Sequence, residues 1–210
     1  MIKLIASDMD GTLLNDKNEI HEEFYKVFQE LKKQNIIFAA ASGRQYYNLA
    51  KRFEKIKDDM MFIAENGTFV VYKGEELLLN ALDKETAIEL IKIGRDIKES
   101  YVVLCGKKSA YIESKDERLI KEVVLVSSGA VGVGVNKGIA INKLQELLNI
   151  KHEETMVFGD YLNDLEMMES AYHSYAMENA HDDLKKVARF RAKKNTENGV
   201  VEKIKEVLNI

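Results

Sequence analysis

The first candidates for chemistry in the sequence are two acids, Asp8 and Asp10, in the segment Asp8–Leu14 directly after the apolar run Ile2–Ser7. Side chains two positions apart point the same way in extended backbone. Two carboxylates held that close repel each other unless a cation lies between them or one of them carries a proton. Oxygen ligands suit a hard cation such as Mg²⁺. Because acids after a strand also occur in ordinary solvated loops, the pair needs support from other motifs.

A hydroxyl and a glycine, Ser42 and Gly43, follow a second apolar run, Ile36–Ala41, and Arg44 comes next. They precede an amphipathic stretch at 46–53 that predicts a helix. The backbone N–H groups at such a helix start can bind an anion. The same serine could instead cap the helix without binding anything, so both interpretations stay open.

Two further acids, Asp160 and Asp164, follow the apolar run Thr155–Gly159. Their spacing of four residues is that of one helix face. Acids in the first turn of a helix also stabilise the helix dipole, so a purely structural role for Asp164 stays open. Lys137 precedes another apolar stripe of helical spacing. A cation at a helix start opposes the dipole, and a nearby anion would compensate for it.

The elements that must position these motifs follow from the alternation of short apolar runs with amphipathic stretches, which is typical of an α/β protein with a parallel sheet. Five apolar runs predict buried strands: Ile2–Ser7, Ile36–Ala41, Met60–Ala64, Thr155–Gly159 and Tyr172–Met177. Four stripes of helical spacing predict the core faces of helices: Phe24, Val27, Phe28 and Leu31; Tyr46, Leu49, Ala50 and Phe53; Ile141, Leu144, Leu147 and Leu148; Val200, Val201, Ile204 and Leu208. Because ligands bind at the carboxyl ends of parallel strands, the motifs are expected to face one crevice.

The middle of the chain breaks this alternation. It predicts a helix at Thr86–Ile97 and a hairpin of Tyr101–Cys105 with Ser109–Glu113, then a shorter helix and a strand interrupted by glycines. The predicted domains are a core formed by residues 1–81 and 136–210 and a small inserted α/β subdomain formed by residues 82–135. Within the insert, Val124–Gly134 also resembles the glycine-rich segment of amino-acid kinases, although a final strand with a glycine hinge is the simpler interpretation.

The composition excludes several classes of protein. The chain of 210 residues has 46% hydrophobic and 31% charged residues, which is ordinary for a globular protein. Its formal net charge of −4 gives no general attraction to nucleic acid or to an anionic membrane. No apolar run approaches the length of a membrane helix, and Asp8 comes too early for a signal peptide. The single cysteine, Cys105, is expected to be a buried strand residue, and the protein is expected in the cytoplasm.

Taken in order, the motifs resemble the four sequence motifs of the haloacid dehalogenase superfamily. The matching segments are Asp8–Leu14, Ser42–Arg44, Lys137–Gly138 and Gly159–Asp164. Three further segments, Ala64–Gly67, Met177–Ala180 and Asn198–Val200, resemble its Cof-type branch (class IIB), in which a cap is inserted between the second and third motifs. The resemblance covers residues 1 to about 82 and about 136 to 210. It implies a Rossmann-like parallel-sheet core with an α/β cap, here a cap smaller than is usual for the branch.

The resemblance also implies roles for individual residues. Asp8 matches the nucleophile that attacks phosphorus and forms an aspartyl-phosphate, and Asp10 matches the general acid/base. The implied phosphate-binding residues are Thr12, Ser42, Gly43, Arg44, Lys137 and Asn163. The implied Mg²⁺ site comprises Asp8, Asp10, Asp160 and Asp164, with Asp10 contributing its backbone carbonyl and Asp164 orienting metal-bound water.

These roles predict a Mg²⁺-dependent phosphatase that acts on a small phosphorylated metabolite, such as a sugar phosphate or pyridoxal phosphate. A phosphomutase or phosphotransferase of the same superfamily is an alternative, and a slow phospho-accepting regulatory module is another. Asp10 argues against the regulatory module, because a receiver that stores phosphate has no need of an acid/base beside its nucleophile. The expected partners are the metabolite and Mg²⁺, without nucleic acid or membrane, and the expected state is a monomer or homodimer.

Overall fold

Eight strands form one sheet in the computed structural model of the chain, which describes residues 1–98, 101–106, 110–113 and 134–210. The described strands are β1 (Leu4–Ser7), β2 (Ile37–Ala41), β3 (Met61–Ala64), β4 (Phe69–Tyr72), β5 (Glu75–Leu79), β6 (Val103–Cys105), β7 (Ala110–Ile112), β8 (Thr155–Gly159), β9 (His173–Met177) and β10 (Phe190–Ala192). The order in the large sheet is β10-β9-β8-β1-β2-β3-β4-β5, and β6 pairs with β7 separately. The five strand pairs from β10 to β3 are parallel, which confirms the predicted α/β class with a largely parallel sheet.

The five predicted strands are all present, each beginning within two residues of its predicted start. The middle strands β1, β3 and β8 are buried along their whole length. A strand covered on both faces carries a continuous apolar run instead of an alternating pattern, which is why these runs could be recognised in the sequence.

The described helices are α1 (Glu22–Lys33), α2 (Tyr46–Arg52), α3 (Lys84–Asp96), α4 (Lys137–Leu148), α5 (Leu165–Glu169), α6 (Asp182–Val187) and α7 (Gly199–Leu208). The predicted apolar stripe of α1 is buried throughout. The stripe predicted for α4 is wrong at Leu147, which is 56% exposed. The helix buries Ala140 beside Ile141 and Leu144, whereas Leu147, two turns after Ala140 on nearly the same side, lies close to the C-terminal end of the helix and is not covered.

The hairpin of β4 with β5 and the short edge strand β10 were not predicted. The two hairpin strands pair antiparallel and meet at Lys73 and Gly74, whose φ angles are 51° and 80°. Two positive φ angles in a two-residue loop are typical of the tight turns that connect hairpin strands. A lysine-glycine pair between apolar runs is a weaker turn pattern than asparagine-glycine. The pattern was therefore present in the sequence but easily missed.

The described part of the insert holds α3 and the β6–β7 hairpin, close to the predicted helix and hairpin. Cys105 is only half-buried, so the prediction of a buried cysteine is wrong. It ends a three-residue strand of a two-stranded hairpin, which has little core to bury it. Residues 114–133 lie outside the described residues, and so does nearly all of the glycine-rich segment Val124–Gly134. The division into core and insert at these boundaries stays a prediction.

Among the helices in the described ranges, none has the length and apolar character needed to cross a bilayer.

Candidate active site

The carboxyl ends of β1, β2 and β8 lie side by side, because these three strands are neighbours in the sheet. The loops that follow them surround a cavity of about 520 Å³. Its lining residues are Asp8, Asp10, Ser42, Gly43, Arg44, Asn66, Asp160, Tyr161, Leu162 and Asn163. Seven of the ten predicted site residues therefore share one cavity. The other three, Thr12, Lys137 and Asp164, are buried beside it.

Three carboxylates converge at the base of the site. One oxygen from each of Asp8, Asp160 and Asp164 lies within 4.8 Å of the others. The ammonium of Lys137 is fully buried between two of them, with Nζ 2.5 Å from Asp8 Oδ1 and 2.6 Å from Asp164 Oδ1. When all are ionised, three negative charges face one positive charge. The cluster is therefore short of positive charge, and a divalent cation would balance it.

Burial and crowding shift the pKa values of this cluster. Burial raises the pKa of Asp8 well above its ordinary value, and the ion pair with Lys137 only partly offsets that effect. Burial also raises the pKa of Asp160, to about 6, with the charge of Asp164 adding to the rise. Burial alone would lower the pKa of Lys137, but Asp164 and Asp8 together raise it above its ordinary value. Lys137 therefore remains charged, and Asp8 and Asp160 hold protons more tightly than usual.

The loop after β1 brings Asp160 into the cluster. Gly11 has φ of 78°, and a Cβ built on it would lie 2.3 Å from Asp160 Oδ2, so only glycine fits at this position. The neighbouring Thr12 donates its hydroxyl to Asp160 Oδ1 at 2.7 Å. Thr12 thus holds a candidate metal ligand and does not line the cavity, and its implied contact with phosphate stays a prediction.

Ser42 does not cap a helix. The N-cap of α2 is Gln45, three residues later, so the capping interpretation is wrong. Ser42 is buried at the end of β2, and its Oγ accepts the N–H of Arg44 at 3.2 Å. The loop places Ser42 and Gly43 on the cavity wall, while the guanidinium of Arg44 contacts Asp10. The location agrees with the implied phosphate-binding role of Ser42 and Gly43, which stays a prediction.

Asp160 and Asp164 do not share an α-helical face, contrary to the expectation from their spacing. They belong to a loop and a short turn before α5 begins at Leu165. Asp164 Oδ2 accepts the backbone N–H groups of Asp160 at 3.1 Å and Tyr161 at 3.4 Å, while its Oδ1 accepts from Lys137. The loop folds back on the carboxylate because its backbone donors need an acceptor. Asp164 therefore orients both the loop and the lysine.

Two asparagines support the site although no role was predicted for them. Asn66 lines the cavity, and its Oδ1 accepts from Asn163 Nδ2 at 3.5 Å. Asn179 donates to the carbonyl of Gly11 at 2.8 Å and accepts the N–H of Asn195 at 3.0 Å. Both belong to segments that resemble the Cof-type branch. The resemblance of these segments to the Cof-type branch could have drawn attention to both asparagines, but it did not indicate which groups they contact.

The chain belongs to the haloacid dehalogenase-like hydrolase family, whose sequence profile matches residues 5–128 and 130–204. This match confirms the family resemblance. Together with relatives that are named phosphatases, it defines the protein as a phosphomonoesterase of this family that acts on small phosphorylated compounds.

Among curated proteins, the chain is 32% identical over 261 positions to a 5-amino-6-(5-phospho-D-ribitylamino)uracil phosphatase of Escherichia coli, covering 99% of the chain and 96% of that protein. It is 31% identical over 223 positions to a phosphoglycolate phosphatase of Metallosphaera sedula, with complete coverage of both chains.

Solved structures agree on the fold. SMU.1108c of Streptococcus mutans superimposes with a TM-score of 0.90 at 25% identity, with both chains fully covered. BT4131, a sugar phosphatase of haloacid dehalogenase subclass IIB, superimposes with a TM-score of 0.80 at 18% identity. The superposition covers 99% of this chain and all of BT4131.

Proposed function

We propose that the protein is a Mg²⁺-dependent phosphatase that transfers the phosphoryl group of a small metabolite to Asp8 and then to water. The observation that carries the proposal is the carboxylate of Asp8, which lines the cavity while Lys137 holds its Oδ1 at 2.5 Å. This ion pair fixes the direction of the carboxylate. A positioned carboxylate in a cavity that has charged neighbours is suited to nucleophilic attack on phosphorus.

The donor set of the cluster fits Mg²⁺. It offers only oxygen atoms, and hard divalent cations prefer oxygen ligands. Asp8 and Asp160 both line the cavity and would hold the ion directly, together with the backbone carbonyl of Asp10 that the resemblance implies. Asp164 already accepts three hydrogen bonds, so we place it around the ion's bound water, as the resemblance also implies. When bound, Mg²⁺ would supply the positive charge that allows an anionic phosphoryl group to approach an anionic nucleophile.

The reaction proceeds in two displacements. An oxygen of Asp8 bonds to phosphorus as the bond from phosphorus to the leaving oxygen breaks. The carboxyl group of Asp10 enters this step protonated, gives its proton to the leaving oxygen and becomes a carboxylate. Water then attacks the phosphorus of the aspartyl-phosphate, Asp10 accepts a proton from the water, and the carboxylate of Asp8 is restored with release of phosphate. Lys137 stabilises the negative charge that the phosphoryl oxygens carry beside Asp8.

The size of the chain favours a small substrate. The alignment with the Escherichia coli relative spans 261 positions for a chain of 210 residues, so at least 51 positions of that relative have no counterpart here. The alignment with the phosphoglycolate phosphatase spans only 223 positions. A predicted insert of reduced size would leave less surface to recognise a large leaving group. We therefore place phosphoglycolate and small sugar phosphates ahead of pyridoxal phosphate as candidate substrates.

The test is a phosphate-release screen with Mg²⁺ over phosphoglycolate, sugar phosphates and pyridoxal phosphate, each with and without a sugar acceptor. We expect phosphate release to water, highest for the smallest substrates. In parallel, rapid acid quenching followed by peptide mass spectrometry should find a phosphoryl adduct on Asp8. Transfer mainly to the acceptor would favour the phosphotransferase alternative. Turnover without any adduct on Asp8 would contradict the two-step mechanism.

A further inference from the structure

Arg44 and Asp10 form a two-point ion pair at the cavity. Arg44 Nε donates to Asp10 Oδ2 at 2.9 Å, and Nη2 donates to Oδ1 at 2.7 Å. A bidentate pair of this kind fixes the orientation of a carboxylate as well as its distance, because both oxygens are held by one planar group. The charge of Asp10 also raises the pKa of Arg44, so the guanidinium stays protonated.

The backbone of Arg44 is itself fixed by one hydrogen bond within its own loop and one from the loop after β3. Its N–H donates to Ser42 Oγ at 3.2 Å, and its carbonyl accepts the N–H of Glu65 at 3.0 Å. The side chain of Arg44 is 25% exposed, whereas that of Asp10 is 48% exposed. Arg44 is thus the anchored partner of the pair. Asp10 is the partner whose side chain, without Arg44, would be free to rotate into solvent.

We propose that Arg44 is a positioning residue that directs the carboxyl group of Asp10 toward the leaving oxygen of the substrate. The inference rests on the proposed function, in which Asp8 attacks phosphorus and Asp10 protonates the leaving oxygen. In-line attack from Asp8 puts the leaving oxygen on the opposite side of phosphorus, toward the open side of the cavity. The side chain of Asp10 is 48% exposed and that of Asp8 is 10% exposed, so we place the leaving oxygen beside Asp10. Arg44 therefore acts through Asp10, and not by binding the phosphoryl group as the family resemblance implies.

The first experiment compares two substrates that differ in their need for a proton. The alkoxide of glycerol phosphate is a poor leaving group and needs protonation, whereas p-nitrophenolate leaves as an anion. Formation of the aspartyl-phosphate governs kcat/KM, so kcat/KM is the quantity to measure. For Arg44→Ala we expect kcat/KM to fall about 10- to 100-fold with glycerol phosphate. With p-nitrophenyl phosphate we expect a fall of less than roughly threefold. Arg44→Lys keeps the charge but cannot form the two-point ion pair with Asp10. Its loss in kcat/KM with glycerol phosphate should therefore be smaller than that of Arg44→Ala.

The second experiment is a double-mutant cycle with glycerol phosphate. Asp10→Asn removes the proton donor, and Arg44→Ala added to it should cause no further loss in kcat/KM if Arg44 acts through Asp10. Arg52→Ala is the matched control, since Arg52 donates to the carbonyl of Asn18 and does not line the cavity. It should leave kcat/KM unchanged with both substrates.

Two results would overturn the proposal. One is an equal loss for Arg44→Ala with both substrates, which indicates direct binding of the phosphoryl group. The other is a double variant whose loss equals the product of the two single losses. If Arg44→Ala does not fold, Arg44→Lys replaces it in the two-substrate comparison and in the double-mutant cycle, and the same two results would overturn the proposal. A wild-type protein that released no phosphate from either substrate would contradict the proposed function instead, so the two failures can be told apart.

Discussion

Two ion pairs show how differently the core and the insert use charge. Lys137 and Asp164 lie 2.6 Å apart in the core, and both side chains are fully buried. Arg95 and Glu113 connect α3 to the end of the β6–β7 hairpin, with exposed side-chain fractions of 54% and 63%. A buried pair is strongly destabilising to break because one charge is left without a partner, whereas an exposed pair contributes little.

Apolar side chains differ between the two regions in the same way. The helix α1 buries Phe24, Val27, Phe28 and Leu31 against the core. Within the described part of the chain, α3 buries none of its side chains, and Ile93 is 59% exposed. The close-packed region thus holds the catalytic groups. We expect that the insert could change in size without disturbing the chemistry.

The largest expected effect is the loss of activity on changing an acid to an amide in the core, compared with the same kind of change in the insert. Asp8→Asn should abolish phosphate release, because the amide cannot act as the nucleophile. Glu113→Gln, a matched change from acid to amide in the insert, should leave release from p-nitrophenyl phosphate unchanged. Both rates are measured with Mg²⁺ in excess. Residual activity of Asp8→Asn within tenfold of the wild type would contradict the assignment of the nucleophile.

Removal of the metal should reduce the rate of phosphate release somewhat less than Asp8→Asn does. Two like charges about 4 Å apart repel by about 4 kcal/mol at an effective dielectric constant near 20. Without the ion, Asp8 and Asp160 repel each other and the phosphoryl group, so chelation should slow turnover by about three decades or more. Mg²⁺ should restore it, and Ca²⁺ should restore it poorly because its coordination is looser. Full activity in excess chelator would require a different mechanism.

The stability of the core should depend on Lys137 much more than on Lys143, the other lysine of the same helix. Lys137→Met leaves the carboxylates of Asp8 and Asp164 buried without their cation, so the free energy of unfolding should fall by about 3–5 kcal/mol. Lys143→Met is the control, because Lys143 is exposed and its ammonium donates a long hydrogen bond of 3.3 Å to the side chain of Asn80. Urea titrations at neutral pH give both values. Equal stability of the two variants would mean that the buried cluster is not ionised as described.

Proton binding by Asp160 should weaken metal binding in acid. Its pKa is about 6 without metal, so below pH 6 the carboxylate must lose a proton before it can hold a cation. The apparent affinity for Mg²⁺ should fall at least about tenfold for each pH unit below 6, because Asp160 must lose its proton and Asp8, whose pKa is also raised, must do the same. The metal-free protein should show the opposite trend in stability. Its unfolding free energy should decrease as the pH rises from about 4 to 6, since the folded state then binds more protons than the unfolded state. Asp160→Asn should make this slope shallower, and the part that remains belongs to Asp8, whose pKa burial also raises. An unchanged slope would assign the whole dependence to other groups.

The core was predictable because its strands are buried on both faces and its motifs follow them directly. Asp8 and Asp160 each follow a strand that is apolar throughout, so their convergence required only that the sheet be parallel and the strands adjacent. The pair of Arg44 with Asp10 was not predictable. It depends on side-chain directions in two loops, and neither strand periodicity nor residue spacing encodes those directions.

The spacing of acidic residues was a poor predictor of helix. Asp160 and Asp164 are four residues apart, but hydrogen bonds to one carboxylate fold that segment into a loop. The same competition between side-chain and helical hydrogen bonding explains why acids are common before helices. Cys105 was expected to be buried because cysteines usually are, yet a two-stranded hairpin offers little interior.

The smallest expected effect belongs to the ion pair of the insert. Arg95→Met removes two charged hydrogen bonds to Glu113, one of them with Nε 2.8 Å from Oε2. Both side chains are mostly in water, so ordering them offsets much of the attraction, and salt screens what is left. The free energy of unfolding should therefore fall only slightly, and the difference should shrink further in high salt. Urea titrations of Arg95→Met and wild type at low and high salt measure it, with Lys33→Met as a control for an exposed pair in the core. A loss as large as that of Lys137→Met would mean that the insert depends on this pair for its packing, and the contrast between the two regions would not hold.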